Sequence, residues 1–480
     1  MPTVRIPLVG SPNNRSSVTT QDQRFVNCFP EVIKNEVTEN QRIYLLKRFG
    51  TSQFVRPSGG TAEGRGIYYW NSKFWIALGN TLYRTDSDGT NVTAAKTLGN
   101  STGVVGFTEA KMTNDYLIVY DGVKGFYINT TNTVTEITDP QFPTPHLPTP
   151  VFMDGYLFAQ KTAGGSIYNS DVSDPSAWSG SFITPDNYPD AAVGIARQNN
   201  QIAAFGKYSV EFYYNDGTTG TPLAVNSQAV IQFGCASMAS VAQQEGLLAF
   251  VAQSQTGGKY VVAIDGFEPH NISNAAIERI LEAQGDDIVD SWGYFIRIQG
   301  HFFYVLNLPE TSRTLVYDFG TKMWHEWDFT VDSSSYTFFP MAATTEASDT
   351  AAANAGVYFL HQANGWVYKA NTSLYQDAGQ SLRVTIQTGR FDGDTAMTKF
   401  MSRLSYIGDY QSSTSNISVQ YTDDDYQNWK PSVARTLATN GRGYLYRLGN
   451  FRRRAFKLTH VANTALRAEA LEMEIEKGVH

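Results

Sequence analysis

Six basic residues, Arg442, Arg447, Arg452, Arg453, Arg454 and Lys457, fall within sixteen positions of an otherwise acidic chain. A guanidinium presents a planar fork of donors that matches a carboxylate or a phosphate in two-point contact. Three uses follow: a solvated sheet face, a subunit or partner interface, or contact with DNA. Alternation around Phe451, Ala455 and Leu458 puts some of these arginines on the wet face of a strand. The whole chain carries a net charge of −8, which argues against a general nucleic-acid binder or a polybasic membrane protein. It is compatible with a conduit through which DNA slides, because a sticky basic wall would hinder passage. The residues alone leave all three uses open, with the solvated sheet face as the plain reading and a role in assembly as the hypothesis to test. Replacing Arg452, Arg453 and Arg454 by Ser is expected to impair docking to neighbours and leave the fold intact.

The acidic clusters point elsewhere. Asp423, Asp424 and Asp425 precede Tyr426 and Trp429, and Asp392-Gly393-Asp394 forms a turn. Three carboxylates in a turn could hold Ca²⁺, but the spacing of an EF-hand loop and its distal Glu are missing. The run reads as a solvated hairpin tip. Thr422 to Trp429 bears a faint likeness to the Asp-box turn of sialidase propellers, a folding element without catalysis, and lacks that box's Gly.

Other catalytic patterns fail one by one. Gly59 to Gly64 imitates a phosphate loop, yet Arg65 and Gly66 stand where Lys and Ser or Thr are needed. His325-Glu326 begins like a zinc-protease helix, but the second His is missing and Trp327 and Phe329 suit a strand. The seven histidines show no ligand spacing, and no serine sits in a G-x-S-x-G elbow. Glycan hydrolysis needs two carboxylates about 5 to 10 Å apart, and nothing in the order of the residues singles out such a pair. Cys28 and Cys235 read as small buried hydrophobes in a reducing compartment. The reading is a non-enzyme with no catalytic residue, cofactor or metal ligand assigned.

The elements that carry these residues are strands. Only 17% of residues are charged and 13% are aromatic, a balance suited to many short strands joined by tight turns. From Gly66 an apolar strand, a short polar turn and a second strand recur: Ile67 to Trp70 with Phe74 to Leu78, Tyr116 to Tyr120 with Gly125 to Ile128, and so on to Val357 to Leu360 with Trp366 to Tyr368. The units recur at roughly the 40–50-residue period of a four-stranded propeller blade. The fold class is all-β: a β-propeller of six or seven blades over residues 61–378, with a stack of β-sandwiches as the alternative. Residues 1–60 are polar and read as an N-terminal arm that packs on the C-terminal domain or on a neighbouring subunit. After Gly379 strict alternation, as in Leu471 to Ile475, marks a C-terminal antiparallel β-sandwich over 379–480. One helix is predicted over Asn274 to Ala283, capped by Ser273.

No secretory signal is expected from Met1 to Gly10, which is broken by Pro2 and Pro7. No apolar run approaches the length of a membrane span. The N-x-S/T triplets at Asn91, Asn129, Asn271 and Asn416 then read as turn composition.

In order along the chain, four stretches resemble the packaged-DNA stabilisation or tail hub (nozzle) proteins of short-tailed bacteriophages. They are Phe25 to Glu31; Pro189 to Ile195 with Phe205-Gly206 and Val210 to Tyr213; Ala276 to Ile280 with Leu315 to Asp318 and Trp324; and Leu448 to Leu458. The resemblance implies a virion tail protein made in the host bacterial cytoplasm. It implies a ring, usually a hexamer, below the portal and its adaptor ring. Such a ring extends and closes the DNA channel and docks fibres, spikes or a needle, while double-stranded DNA passes without sequence recognition. The rival readings are a propeller that binds or cleaves host glycans and a bacterial DNA-binding protein whose affinity falls steeply with salt.

Overall fold

The computed structural model describes residues 3–9, 23–34, 41–188, 190–332, 335–349, 351, 353–411, 414–438 and 444–478. They form two compact units. One comprises Gln53–Thr311 and Pro340–Lys369, the other Met1–Ser52, Ser312–Phe339 and Ala370–His480.

The first of these is the propeller. Its opening blade shows how local sequence makes the element. Strands Gly64–Trp70 and Lys73–Leu78 pair antiparallel with Trp70 opposite Lys73. Asn71 and Ser72 both take left-handed backbone, at φ 50° and 60°, as a two-residue hairpin turn that follows strand twist requires. Strands Thr81–Asp86 and Thr93–Thr97 complete the sheet. Three further four-stranded blades begin at strands Gly106–Lys111, Val151–Met153 and Ala192–Gln198. The fifth blade is centred on Leu247–Gln253, and the sixth opens with Met341–Ala347. The hairpin Trp292–Ile298 with His301–Leu308 lies between the fifth and sixth in the chain.

Each blade is apolar on both faces, so neighbours share cores. Trp75 and Leu82 of the first blade meet Leu117 and Phe126 of the second, and Ile67 and Phe74 meet Tyr358 and Leu360 of the sixth. This last cluster closes the ring. The helix is Ala275–Glu282, and its cap is Asn274, not Ser273. Asn274 Oδ1 accepts from the amides of Ala276 and Ile277, whereas Ser273 Oγ donates to Glu278 at 3.0 Å. Ser273 lies one residue too early to reach the free amides of the first turn.

The second unit is a sandwich of two sheets. One contains Cys28–Lys34, Gln41–Lys47, Arg467–Lys477 and Lys399–Gly408, with Thr3–Pro7 added to Arg467–Lys477. The other runs through Arg313–Asp318, Met323–Thr330, Arg24–Val26, Val384–Gln387, Ala455–His460 and Asn416–Thr422. Phe25, Cys28, Leu45, Ile386, Leu404, Leu458 and Met473 share its core. The N-terminal segment thus supplies strands and core residues. Ser312–Phe339, read from sequence as part of the propeller span, belongs to this unit. Its hairpin has the same local pattern as a blade hairpin, and local pattern does not say which sheet a strand joins.

A charged knot fastens the three segments of the sandwich. Arg48 and Asp377 are fully buried and paired at 2.7 Å. The remaining Arg48 donors reach Asn27 Oδ1 at 2.8 Å and the carbonyls of Phe49 and Asp328 at 2.8 and 2.7 Å. Asn27 has φ 56° and donates through Nδ2 to Asp328 and to the Arg383 carbonyl. A buried ion pair holds only when its other donors and acceptors are met in this way.

Candidate assembly surface

Of the basic cluster, Lys457 sits on Ala455–His460 of the second sandwich sheet, whereas Arg447, Arg452 and Arg453 follow the edge of the first. Two short strands, Leu445–Tyr446 and Asn450–Phe451, pair with Lys399–Gly408 there. Between them Arg447 takes left-handed backbone at φ 60°, and its amide donates to the Ser402 carbonyl at 3.1 Å. Arg447, Arg452 and Arg453 are exposed. Tyr446 and Phe400 are also exposed, at 61% and 48%, and these strands pair beside each other on Lys399–Gly408. Aromatic side chains and arginine are the types that anchor protein interfaces. Arg442 lies outside the described residues.

Arg454 departs from the expected wet face. It is 1% exposed and grips Asp423 by two parallel bonds, Nε to Oδ1 at 2.7 Å and a terminal nitrogen to Oδ2 at 2.8 Å. Another nitrogen donates to the Leu448 carbonyl at 2.9 Å, and the guanidinium lies 4.1 Å from the Tyr421 ring centre. This residue organises the fold, so a triple Ser substitution that includes it would not leave the fold intact. Its neighbour Arg453 is half-exposed and pairs with Asp425 at 3.2 Å, and Arg390 reaches the same carboxylate at 3.1 Å. Lys457 sits over the Trp429 ring at 4.0 Å. Burial, with Arg24 and Arg383 nearby, lowers its pKa.

The three aspartates therefore divide the work that sequence reading gave to a solvated tip. Asp423 neutralises Arg454, and Asp425 bridges Arg390 and Arg453. Asp424 closes the turn, accepting from Asn428 N at 2.9 Å and Thr422 Oγ at 2.7 Å. Those hydrogen bonds hold its carboxyl at about 2. Nothing local announced the pairing, because it joins side chains more than twenty-five residues apart. The signal available was charge complementarity between two clusters whose hairpins could share a sheet.

The propeller has a second place to test for chemistry. The first strands of several blades converge on a cavity of about 480 Å³ lined by Tyr68, Glu109, Gln243, Tyr294, Thr345 and Glu346, among others. Tyr68 donates to Glu109 at 3.2 Å. Burial first, and then the Glu109 charge, push the Tyr68 hydroxyl pKa up, so it stays a donor. Among the described residues two carboxylates line the cavity, and no Lys, Arg or His lines it. Among the described residues no group of three His, Cys, Asp or Glu side chains is placed to hold a metal ion. No helix among them is long and apolar enough to cross a membrane.

A family model described as the bacteriophage P22 Gp10 β-propeller matches residues 4–354. The chain belongs to the phage P22 Gp10 family. The tail hub protein gp10 of Salmonella phage P22 is 26% identical over 152 residues, 31% of this chain and 32% of that protein. The match thus spans about a third of the relative's length. Among solved structures, the N-terminal domain of Nup159 aligns over 72% of this chain and 98% of its own, with 11% identity and a TM-score of 0.41. Virginiamycin B lyase from Staphylococcus aureus aligns over 65% and 95%, with 10% identity and a TM-score of 0.42. In this member of the Gp10 family, the Phe25 to Glu31 segment that carries part of the resemblance holds Asn27, a ligand of buried Arg48. The Gly59 to Arg65 loop that imitates a phosphate site uses Arg65 on the carbonyls of Gly79, Asn100 and Gly103 at 2.6–2.9 Å.

Proposed function

We propose that this chain is a structural virion protein: a tail hub, or nozzle, that extends and closes the DNA channel below the portal and adaptor rings. In this reading it forms a hexameric ring, retains packaged DNA until ejection and docks fibres, spikes or a needle. It performs no catalysis and acts in the virion tail after synthesis in the bacterial cytoplasm. The observation that carries this reading is the family match over residues 4–354. The exposed edge bearing Tyr446, Arg447, Arg452 and Arg453 supports it as a docking surface. A closed ring needs a heterologous interface, in which two different patches of each copy meet. Mixing purified chain with adaptor rings and imaging the product by electron microscopy tests the reading. Closed rings stacked on the adaptor are expected, and chain that stays monomeric beside free adaptor rings would overturn it.

The cavity carrying Glu109 and Glu346 gives the glycan-cleaving alternative a location. Release of reducing sugar from host surface glycans, abolished by Glu109→Gln or Glu346→Gln, would favour that alternative. No release at any pH from 4 to 8 removes it.

A further inference from the structure

We propose that a cavity between the third and fourth propeller blades binds a calcium ion. It measures about 220 Å³ and is lined by Gln160 of the third blade and by Asp190, Ser209 and Glu211 of the fourth, with Gly165 and Gly206 in its wall. Gln160 is fully buried. Its Nε2 donates to the Gly165 carbonyl at 2.9 Å, which fixes the amide and leaves Oε1 without a hydrogen-bond partner. An unmatched buried acceptor is costly, so this oxygen calls for a donor or a cation.

The carboxylates point the same way. Glu211 is 2% exposed, and both its hydrogen bonds, from Asn187 Nδ2 at 3.0 Å and Tyr213 Oη at 2.7 Å, fall on Oε2. Its Oε1 is left for the cavity. Asp190 is held by the Tyr208 amide at 2.6 Å and by Ser209 Oγ at 3.2 Å. A Cβ at Gly206 would collide with that carboxylate, so glycine keeps it in place. Among the described residues no Lys, Arg or His lines the cavity. Two carboxylates and an amide oxygen form a hard, oxygen-only donor set, which suits Ca²⁺ or Mg²⁺ rather than a softer metal. Ca²⁺ fits better, because it accepts mixed carboxylate and carbonyl oxygens in irregular geometry, whereas Mg²⁺ demands a near-ideal octahedron. The cavity has room for waters to complete the shell. The bound ion would tie the second strand of the third blade to the entry and the third strand of the fourth.

The test uses the full chain, stripped with a chelator and then titrated with CaCl₂ by calorimetry and thermal unfolding. One Ca²⁺ per chain and a rise in Tm that grows with concentration are expected. MgCl₂ or spermidine at the same concentration should give a smaller response. Glu211→Gln, which keeps the hydrogen-bonding shape, and Asp190→Asn should each weaken binding at least tenfold while retaining the β-sheet circular dichroism spectrum. Absence of Ca²⁺ binding overturns the proposal, as does undiminished binding by a folded variant or an equal response to spermidine. None of these outcomes depends on whether the chain assembles into a tail.

Discussion

Two buried arginines, one in each unit, show how differently the units are held. Arg65 in the propeller is 3% exposed and donates to main-chain carbonyls no more than 38 positions away. Arg48 in the sandwich is fully buried and pairs with Asp377, 329 positions away. The propeller is a succession of hairpins whose cores lie between neighbours in sequence, closed once by the contact of first and sixth blades. The sandwich is assembled from three distant segments and includes a parallel pairing of Val26 with Glu326. In the propeller, Arg65 fastens loops that lie close to it in sequence. Where the chain must bring remote segments together, a buried charge network specifies which segments meet.

The contrast can be broken most severely at Asp377. Asp377→Ala leaves Arg48 charged and unpaired in a dry interior. It should cost about 3–5 kcal/mol, read as a loss of denaturant midpoint in a probe placed in the sandwich. Acid provides the next test. Burial lowers His460 to about 3, with Lys47 adding to the effect, and lowers His146 and His361 to about 4. These folded-state values lie below the ordinary 6.5, so the unfolded chain binds more protons as pH falls from about 6.5. The part of the stability that depends on these histidines should therefore be full above pH 6.5 and decline down to about pH 4 in the propeller and about pH 3 in the sandwich. His460→Gln should flatten the sandwich's decline only, as followed by thermal unfolding across that range.

Arg65→Met should cost about 2 kcal/mol by stranding three carbonyls, with the loss confined to the first two blades in hydrogen exchange. Arg454→Lys keeps the charge but loses the two-point grip on Asp423. A drop of about 1 kcal/mol is expected, since Asp423 is partly exposed. Smallest of all, Arg452→Ser with Arg453→Ser should change stability by no more than about 0.5 kcal/mol. If this pair destabilises as much as Arg454→Lys, the division between a structural arginine and an assembly edge is wrong.

The same contrast explains what could be read from the sequence. Blade hairpins were legible because a turn such as Asn71-Ser72 and its flanking aromatics lie within a dozen residues. The alternation of Leu471 to Ile475 likewise marked a half-buried sandwich strand. The sandwich's membership was not legible, because Leu315 to Tyr317 carries the same local pattern as any blade strand. The basic cluster was visible as composition, but its division was not. Arg454 turns inward because Asp423, in the turn after Asn416–Thr422, meets it, and no spacing rule encodes that meeting. The cavity of Gln160 and Glu211 escaped for the same reason: its oxygens come from two blades, and each is unremarkable in its own strand.

We propose that this Gp10-family chain works as an assembled tail component. Electron microscopy of the chain mixed with adaptor rings, wild type beside Arg452→Ser/Arg453→Ser, tests it most directly. Six-fold rings on the adaptor are expected for the wild type, with a marked loss of them for the folded variant. Monomers throughout would contradict the tail-hub reading, and intact rings from the variant would remove the basic edge from the assembly surface.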